Sequence, residues 1–210
     1  EKQSKKGRLA VNLKLYNHYR YKDKSKAIDF LRRSYKAGDI KSAYELIKEF
    51  KYGKNKDYGV VIEVYKNLAD KGDKDALREL AKLYTNPPNF PEAKKHMDAE
   101  KGLEIYKKMA DSGNIEALKE LAELYICGNC FEDEKNRYDD SFSYIKKLHN
   151  MDYPRYTYLL GWLYNYGKGV KQDPQKALEL YKEAMKENYK YAAYRLGWLY
   201  FPGEDNKKKK

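Results

Sequence analysis

The chain has 210 residues, of which 36% are charged and 41% hydrophobic, with 23 tyrosines and a formal net charge of +12. That length supports a sizeable core in one or two domains, and the polar balance suits a thin array in which each unit buries only its neighbour-facing sides. No apolar run approaches the ~18 residues needed to span a bilayer, and two cysteines are too few for a disulfide framework.

The charge is uneven. Residues 1–8 carry a net +3 and residues 207–210 are four lysines, so the ends hold more than half of the +12 excess. Residues 1–8 and 204–210 therefore read as basic, flexible tails. A basic tail is most simply a solvated end, but it can also attract nucleic acid, an anionic membrane surface or an acidic protein. No signal peptide is visible, while the sequence starts at Glu1, so an exported and a cytoplasmic home both stay open.

Between the tails, two phrases alternate. The first places a small residue ahead of a leucine and a closing Leu-Tyr. It is faint at Leu15-Tyr16, degenerate from Ala43 to Phe50, and clear at Ala76–Tyr84, Ala117–Tyr125, Tyr156–Tyr164 and Ala192–Tyr200. The second runs Lys26–Gly38, Val60–Gly72, Lys101–Gly113, Asp140–His149 and Lys176–Met185. The small-residue anchors at 43, 76, 117, 156 and 192 recur with periods of 33, 41, 39 and 36. Periods of this size mark stacked supersecondary units. The expected array covers 9–203, with repeats near 9–42, 43–75, 76–116, 117–155 and 156–191 and a final helix at 192–201.

Each phrase is helical in spacing. Leu103, Tyr106, Met109 and Ala110 are separated by three and four, which puts them on one stripe, with Lys, Glu and Asp between them. Gly38, Gly72 and Gly113 stand where a helix needs a left-handed end, and Asp39, Asp73 and Asn114 follow as starts of the next helix. Tyrosine suits the half-buried positions of such a two-layer array, because its ring packs while its hydroxyl stays wet.

One copy is unusually complete: Leu160-Gly-Trp-Leu-Tyr164, then Gly167-Lys-Gly-Val170, Asp173, and Lys176-Ala-Leu-Glu-Leu-Tyr-Lys-Glu-Ala184. It resembles the Sel1-like repeat, a relative of the tetratricopeptide repeat. The other copies keep both helices but lose the Gly-x-Gly-Val linker. The resemblance implies an all-α fold, a right-handed α/α superhelix of about five hairpins plus a terminal helix. It also implies a non-catalytic scaffold or adaptor that binds a partner protein or peptide, with no cofactor. Polyanion binding through the tails is the alternative.

The sequence offers little chemistry. His18, His96 and His149 are far apart, and no nucleophile elbow or phosphate-binding loop appears. Gly167-Lys168-Gly169 lacks the strand before it and the Lys-Ser/Thr after it. Cys127 and Cys130 have Cys-x-x-Cys spacing, which leaves three readings: free thiols, a local disulfide on export, or half of a metal site. Two linkers are enlarged, Thr85–Asp98 and Ile126–Arg137, and read either as recognition loops or as neutral length drift.

A solenoid usually binds on its concave face. Taking Gly161 and Gly197 as the close-packed points of their helices, the exposed neighbours are Tyr158, Trp162, Asn165 and Tyr166, then Tyr194 and Trp198. The same rule selects Glu45, Glu49, Tyr52, Arg78, Lys82, Lys119 and Glu123 in earlier repeats. The expected face is charged toward the N-terminal half and aromatic toward the C-terminal half. Aromatic clusters make good binding hot spots, though aromatic stripes are often plain core.

Overall fold

In a computed structural model, residues 2–54, 56–127 and 134–200 are described, with side chains over 11–54, 56–127 and 137–199. Among the described residues the fold is all-helical. The helices are α1 (Lys2–Tyr19), α2 (Lys24–Lys36), α3 (Ile40–Tyr52), α4 (Tyr58–Asp70), α5 (Lys74–Thr85), α6 (Pro91–Lys94), α7 (Ala99–Asp111), α8 (Ile115–Cys127), α9 (Glu134–His149), α10 (Pro154–Tyr166), α11 (Pro174–Lys186) and α12 (Lys190–Tyr200). They divide into two compact units, residues 1–105 and 106–210.

Chain-neighbouring helices pack on one another, α1 to α5 in the first unit and α8 to α12 in the second. The first unit buries Leu31, Leu46, Val61, Val64 and Leu68, and the second Leu121, Ile145, Leu148, Leu163 and Tyr181. The small members of the repeat phrase (Ala43, Ala76, Ala81, Ala117, Ala122 and Ala177) are fully buried, which lets neighbouring backbones come close.

Helix boundaries follow local chemistry. Asp23, Asp39, Asp57, Asp73 and Asp173 each accept a hydrogen bond from a backbone N–H in the first turn of the following helix. Asp98 and Asn114 do the same for Lys101 and Ala117. Gly38, Gly72 and Gly113 have φ of 93°, 89° and 87°, the left-handed ends that their spacing predicts. The later turns reach this region without glycine, at Asp152 (φ 58°) and Asn188 (φ 60°). Asp and Asn tolerate it because their short polar side chains bond locally.

Three expectations change in detail. The helix α1 begins at Lys2, so it takes in the segment read as a basic tail. The linker Thr85–Asp98 contains α6, which starts on Pro91, a residue whose fixed φ suits a first helical position, and buries Ala93. In the linker Ile126–Arg137, α8 extends to Cys127 and α9 starts at Glu134. Cys127 is an exposed free cysteine, whereas Cys130 and its pairing, like the tail 204–210, lie outside the described residues.

Candidate functional site

The helices of the first phrase, α1, α3 and α5 in the first unit and α8 and α10 in the second, are tied together by polar side chains about one repeat apart. In the first unit the Tyr16 hydroxyl donates to Glu45 and Glu49 at 3.4 and 3.3 Å. Lys51 meets Glu79 at 3.0 Å, and the Tyr44 hydroxyl donates to Asp73 at 2.9 Å. Burial works against the Lys51 charge, but the bond to Glu79, the nearby Tyr65, the Glu79 charge and Tyr52 together outweigh it and raise the pKa. In the second unit Arg155 grips Glu123 with two prongs, Nε to Oε1 at 2.7 Å and Nη2 to Oε2 at 2.8 Å. A planar guanidinium matches a carboxylate in this way.

These links settle what several predicted face residues do. Glu123 is engaged by Arg155. Glu45 and Glu49 hold Tyr16, and Glu49 also pairs with Lys24 at 2.8 Å. Arg78 pairs along its own helix with Asp75 at 3.1 Å, and Lys119 with Glu116 at 2.9 Å. Lys119 also lies 4.4 Å from the Tyr153 ring centroid. Lys82 and Tyr52 are exposed.

The predicted aromatic residues fall into two groups. Tyr158, Trp162 and Asn165 are half-buried. Tyr158 lies between Tyr181 and Tyr189, with ring centroids at 5.5 and 5.3 Å. Trp162 lies between Tyr138 and Tyr166 at 6.2 and 5.1 Å. The Asn165 carbonyl accepts from Gln172 at 2.8 Å. Tyr166, Tyr194 and Trp198 are 46%, 63% and 47% exposed.

Sequence reasoning missed Arg195. It sits two residues before Gly197, off the predicted stripe, yet its long side chain lies 5.6 Å from the Tyr166 ring centroid. Burial disfavours its charge, but a hydrogen bond with Tyr158 and the nearby Tyr166 and Tyr181 outweigh that, and its pKa is raised. Among the described residues no carboxylate pairs with Arg195. The buried Tyr181 hydroxyl beside this cluster has no hydrogen-bond partner among them. A cation amid the aromatic residues of α12 was the available signal.

Other features carry less. Gly167 and Gly169 adopt φ of 63° and 66°, so they act as turn residues of the linker. The histidines do not converge: His18 contacts Lys22, His96 lies near Gly59, and His149 bonds Thr157 at 3.0 Å. A cleft of about 220 Å³ between Arg32, Tyr35, Lys36 and Glu63 has Leu46 and Val64 in its lining. It is small beside the roughly 300–1,000 Å³ of small-molecule sites. No helix among the described residues is long and apolar enough to cross a membrane.

Alternating helices, aspartate starts and the tied helices of the first phrase define an α-helical repeat protein. The Sel1 repeat model matches residues 14–39, 74–114, 154–189 and 190–209, more than half of the sequence, and the chain belongs to that family. No curated protein matches it. Among solved structures it is similar to a Sel1 repeat protein from Oxalobacter formigenes, at 20% identity and TM-score 0.64, over 93% of this chain and 56% of that one. It is also similar to a protective antigen of uropathogenic Escherichia coli, at 21% identity and TM-score 0.55, over 93% of this chain and 42% of that one. The chain thus spans about half the length of these relatives, and at such identity they show the fold alone.

Proposed function

We propose that this chain is a non-catalytic scaffold that holds a partner protein or peptide against the aromatic surface of α10 and α12. The observation that carries the reading is the exposure of Tyr166, Tyr194 and Trp198, with a guanidinium, Arg195, over the Tyr166 ring and without a carboxylate partner among the described residues. Rigid aromatic rings supply contact area at low entropic cost, and a positive group with spare donors suits an acidic residue of the partner. Sel1 repeat proteins generally bind other proteins, which supports the same reading.

The test is affinity capture from the native cell with the unaltered chain, Trp162→Ala, Trp198→Ala and Arg195→Glu. Loss of the same partner with Trp198→Ala and Arg195→Glu, with helical content and melting unchanged, is the expected result. Undiminished recovery by folded variants would overturn it. Polyanion binding ranks second and is supported by the net +12 charge and its concentration in the terminal lysines. It requires affinity that falls steeply with salt and that is lost on deleting residues 1–8 and 207–210.

A further inference from the structure

The cleft of about 220 Å³ in the first unit lies between α2 and α4, with Leu46 of α3 in its lining. Arg32, Tyr35 and Lys36 come from α2, and Val60, Glu63 and Val64 from α4. In each set the spacing of three and four puts the side chains on one helix face. The floor is apolar, since Leu46 and Val64 are buried. Aligning the second-phrase segments on their opening residues shows why a cleft forms at this point. The opening residue of α4's copy is Val60, half-buried, where the other copies carry Lys26, Lys101, Asp140 and Lys176. Tyr35 of α2 stands where α4 and α7 carry Ala69 and Ala110. An apolar wall and a ring thus replace a charge and a methyl group. The cleft is inside the array, because α1 precedes its first helix and α5 follows its last.

Charge defines the occupant. Arg32, Lys36 and Glu63 form no ion pair among the described residues. Lys71 lies 6.0 Å from the Tyr35 ring centroid, so cations outnumber carboxylates around the cleft. We propose that this cleft is a docking point for an acidic peptide segment of a partner protein, which inserts one leucine-sized side chain. The inserted side chain rests on Leu46, Val60 and Val64. Carboxylates flanking it in the segment meet Arg32 and Lys36. The Tyr35 hydroxyl donates to a peptide carbonyl beside it, and Glu63 accepts from a peptide N–H. Burial, with the Glu63 charge adding to it, raises the Tyr35 pKa, which keeps that hydroxyl a donor. A cavity of about 150 Å³ holds benzene, so this volume suits a single side chain, whereas a drug-sized ligand needs more. The cleft uses neither α10 nor α12, so it is independent of the aromatic surface proposed above.

The probe is the peptide acetyl-Glu-Asp-Leu-Asp-Glu-amide, titrated into the full chain with methyl-labelled valine and leucine and followed by NMR. Saturable shifts centred on the methyl groups of Leu46, Val60 and Val64 are expected. Affinity should fall at least tenfold with Val60→Lys, which restores the charge that other copies carry at this position. It should fall at least fivefold with Arg32→Gln and Lys36→Gln combined, and at least tenfold when serine replaces the peptide leucine. Trp198→Ala should leave it unchanged. Melting temperatures of the variants serve as the folding control. Absence of saturable shifts at these methyl groups, or equal binding by folded Val60→Lys, would overturn the proposal. Equal affinity for isocaproate, a leucine-like side chain bearing only a carboxylate, would also overturn it, since the cleft would then be a site for small organic acids. So would sedimentation showing a dimer of the chain alone that Val60→Lys dissolves, since a second copy would then fill the cleft.

Discussion

Tyr181 of α11 packs directly on Gly161 of α10, leaving no room for a side chain between the two helices. Alanine at 161 forces its methyl group against a fully buried ring, a strain of about 1–3 kcal/mol. Alanine at 197 meets nothing among the described residues and gains roughly 1 kcal/mol of helix propensity. Thermal melts of Gly161→Ala and Gly197→Ala should therefore move in opposite directions, by about 2–4 °C per kcal/mol at this chain length. Equal shifts would refute the packing assignment.

The forked pair of Arg155 and Glu123 joins α10 to α8, two helices of the first phrase. Its side chains are 53% and 31% exposed. Screening by solvent keeps such a pair to about 0.5–1 kcal/mol. A double-mutant cycle of Arg155→Ala and Glu123→Ala should yield a coupling of that size, shrinking as salt is added. A coupling of zero at low salt would show that the link is not maintained in solution.

The turns at Asp152 and Asn188 hold positive φ that glycine supplies at Gly38, Gly72 and Gly113. Asp152→Gly and Asn188→Gly should each stabilise the fold by about 0.5–1 kcal/mol, because the left-handed conformation costs a side-chain-bearing residue more than it costs glycine. Chemical denaturation read by circular dichroism measures this. Destabilisation by both changes would mean that the native side chains contribute bonds outweighing the backbone cost.

Alkaline pH should unfold this protein through its tyrosines. Burial, with Glu49 and Glu45 adding to it, pushes Tyr16 up from 10.0 to about 12. Burial and the bond to Asp73 push Tyr44 up to about 12 as well. Tyr35, Tyr58, Tyr65, Tyr144 and Tyr189 are raised too, each chiefly by burial. A raised phenol favours the folded state while neutral. Its contribution is complete below pH 10 and is lost as pH climbs through about 12. Melting temperature should hold steady up to pH 10 and then drop, with late-ionising tyrosinate absorbance appearing alongside unfolding. A tyrosinate titration completed before any loss of melting temperature would contradict this.

The sequence by itself determined the local architecture. Apolar residues at gaps of three and four specify the helices, and Gly38-Asp39, Gly72-Asp73 and Gly113-Asn114 specify where one ends and the next begins. Both signals act within a turn or two of backbone, so they are readable without the fold. The recurrence of the two phrases likewise disclosed the repeat and, through Leu160–Ala184, the family. Tertiary structure decided what each face residue does. Glu123 became half of an ion pair because Arg155, 32 residues away, reaches it, and Arg195 joined the aromatic set through its length rather than its register. The two copies of Leu-Gly-Trp-Leu-Tyr show the reason most directly. Leu163 is fully buried and Leu199 is 42% exposed, although both occupy the same position of the same five residues. Helical spacing fixes which residues share a face, but only the neighbouring helices fix whether that face is covered.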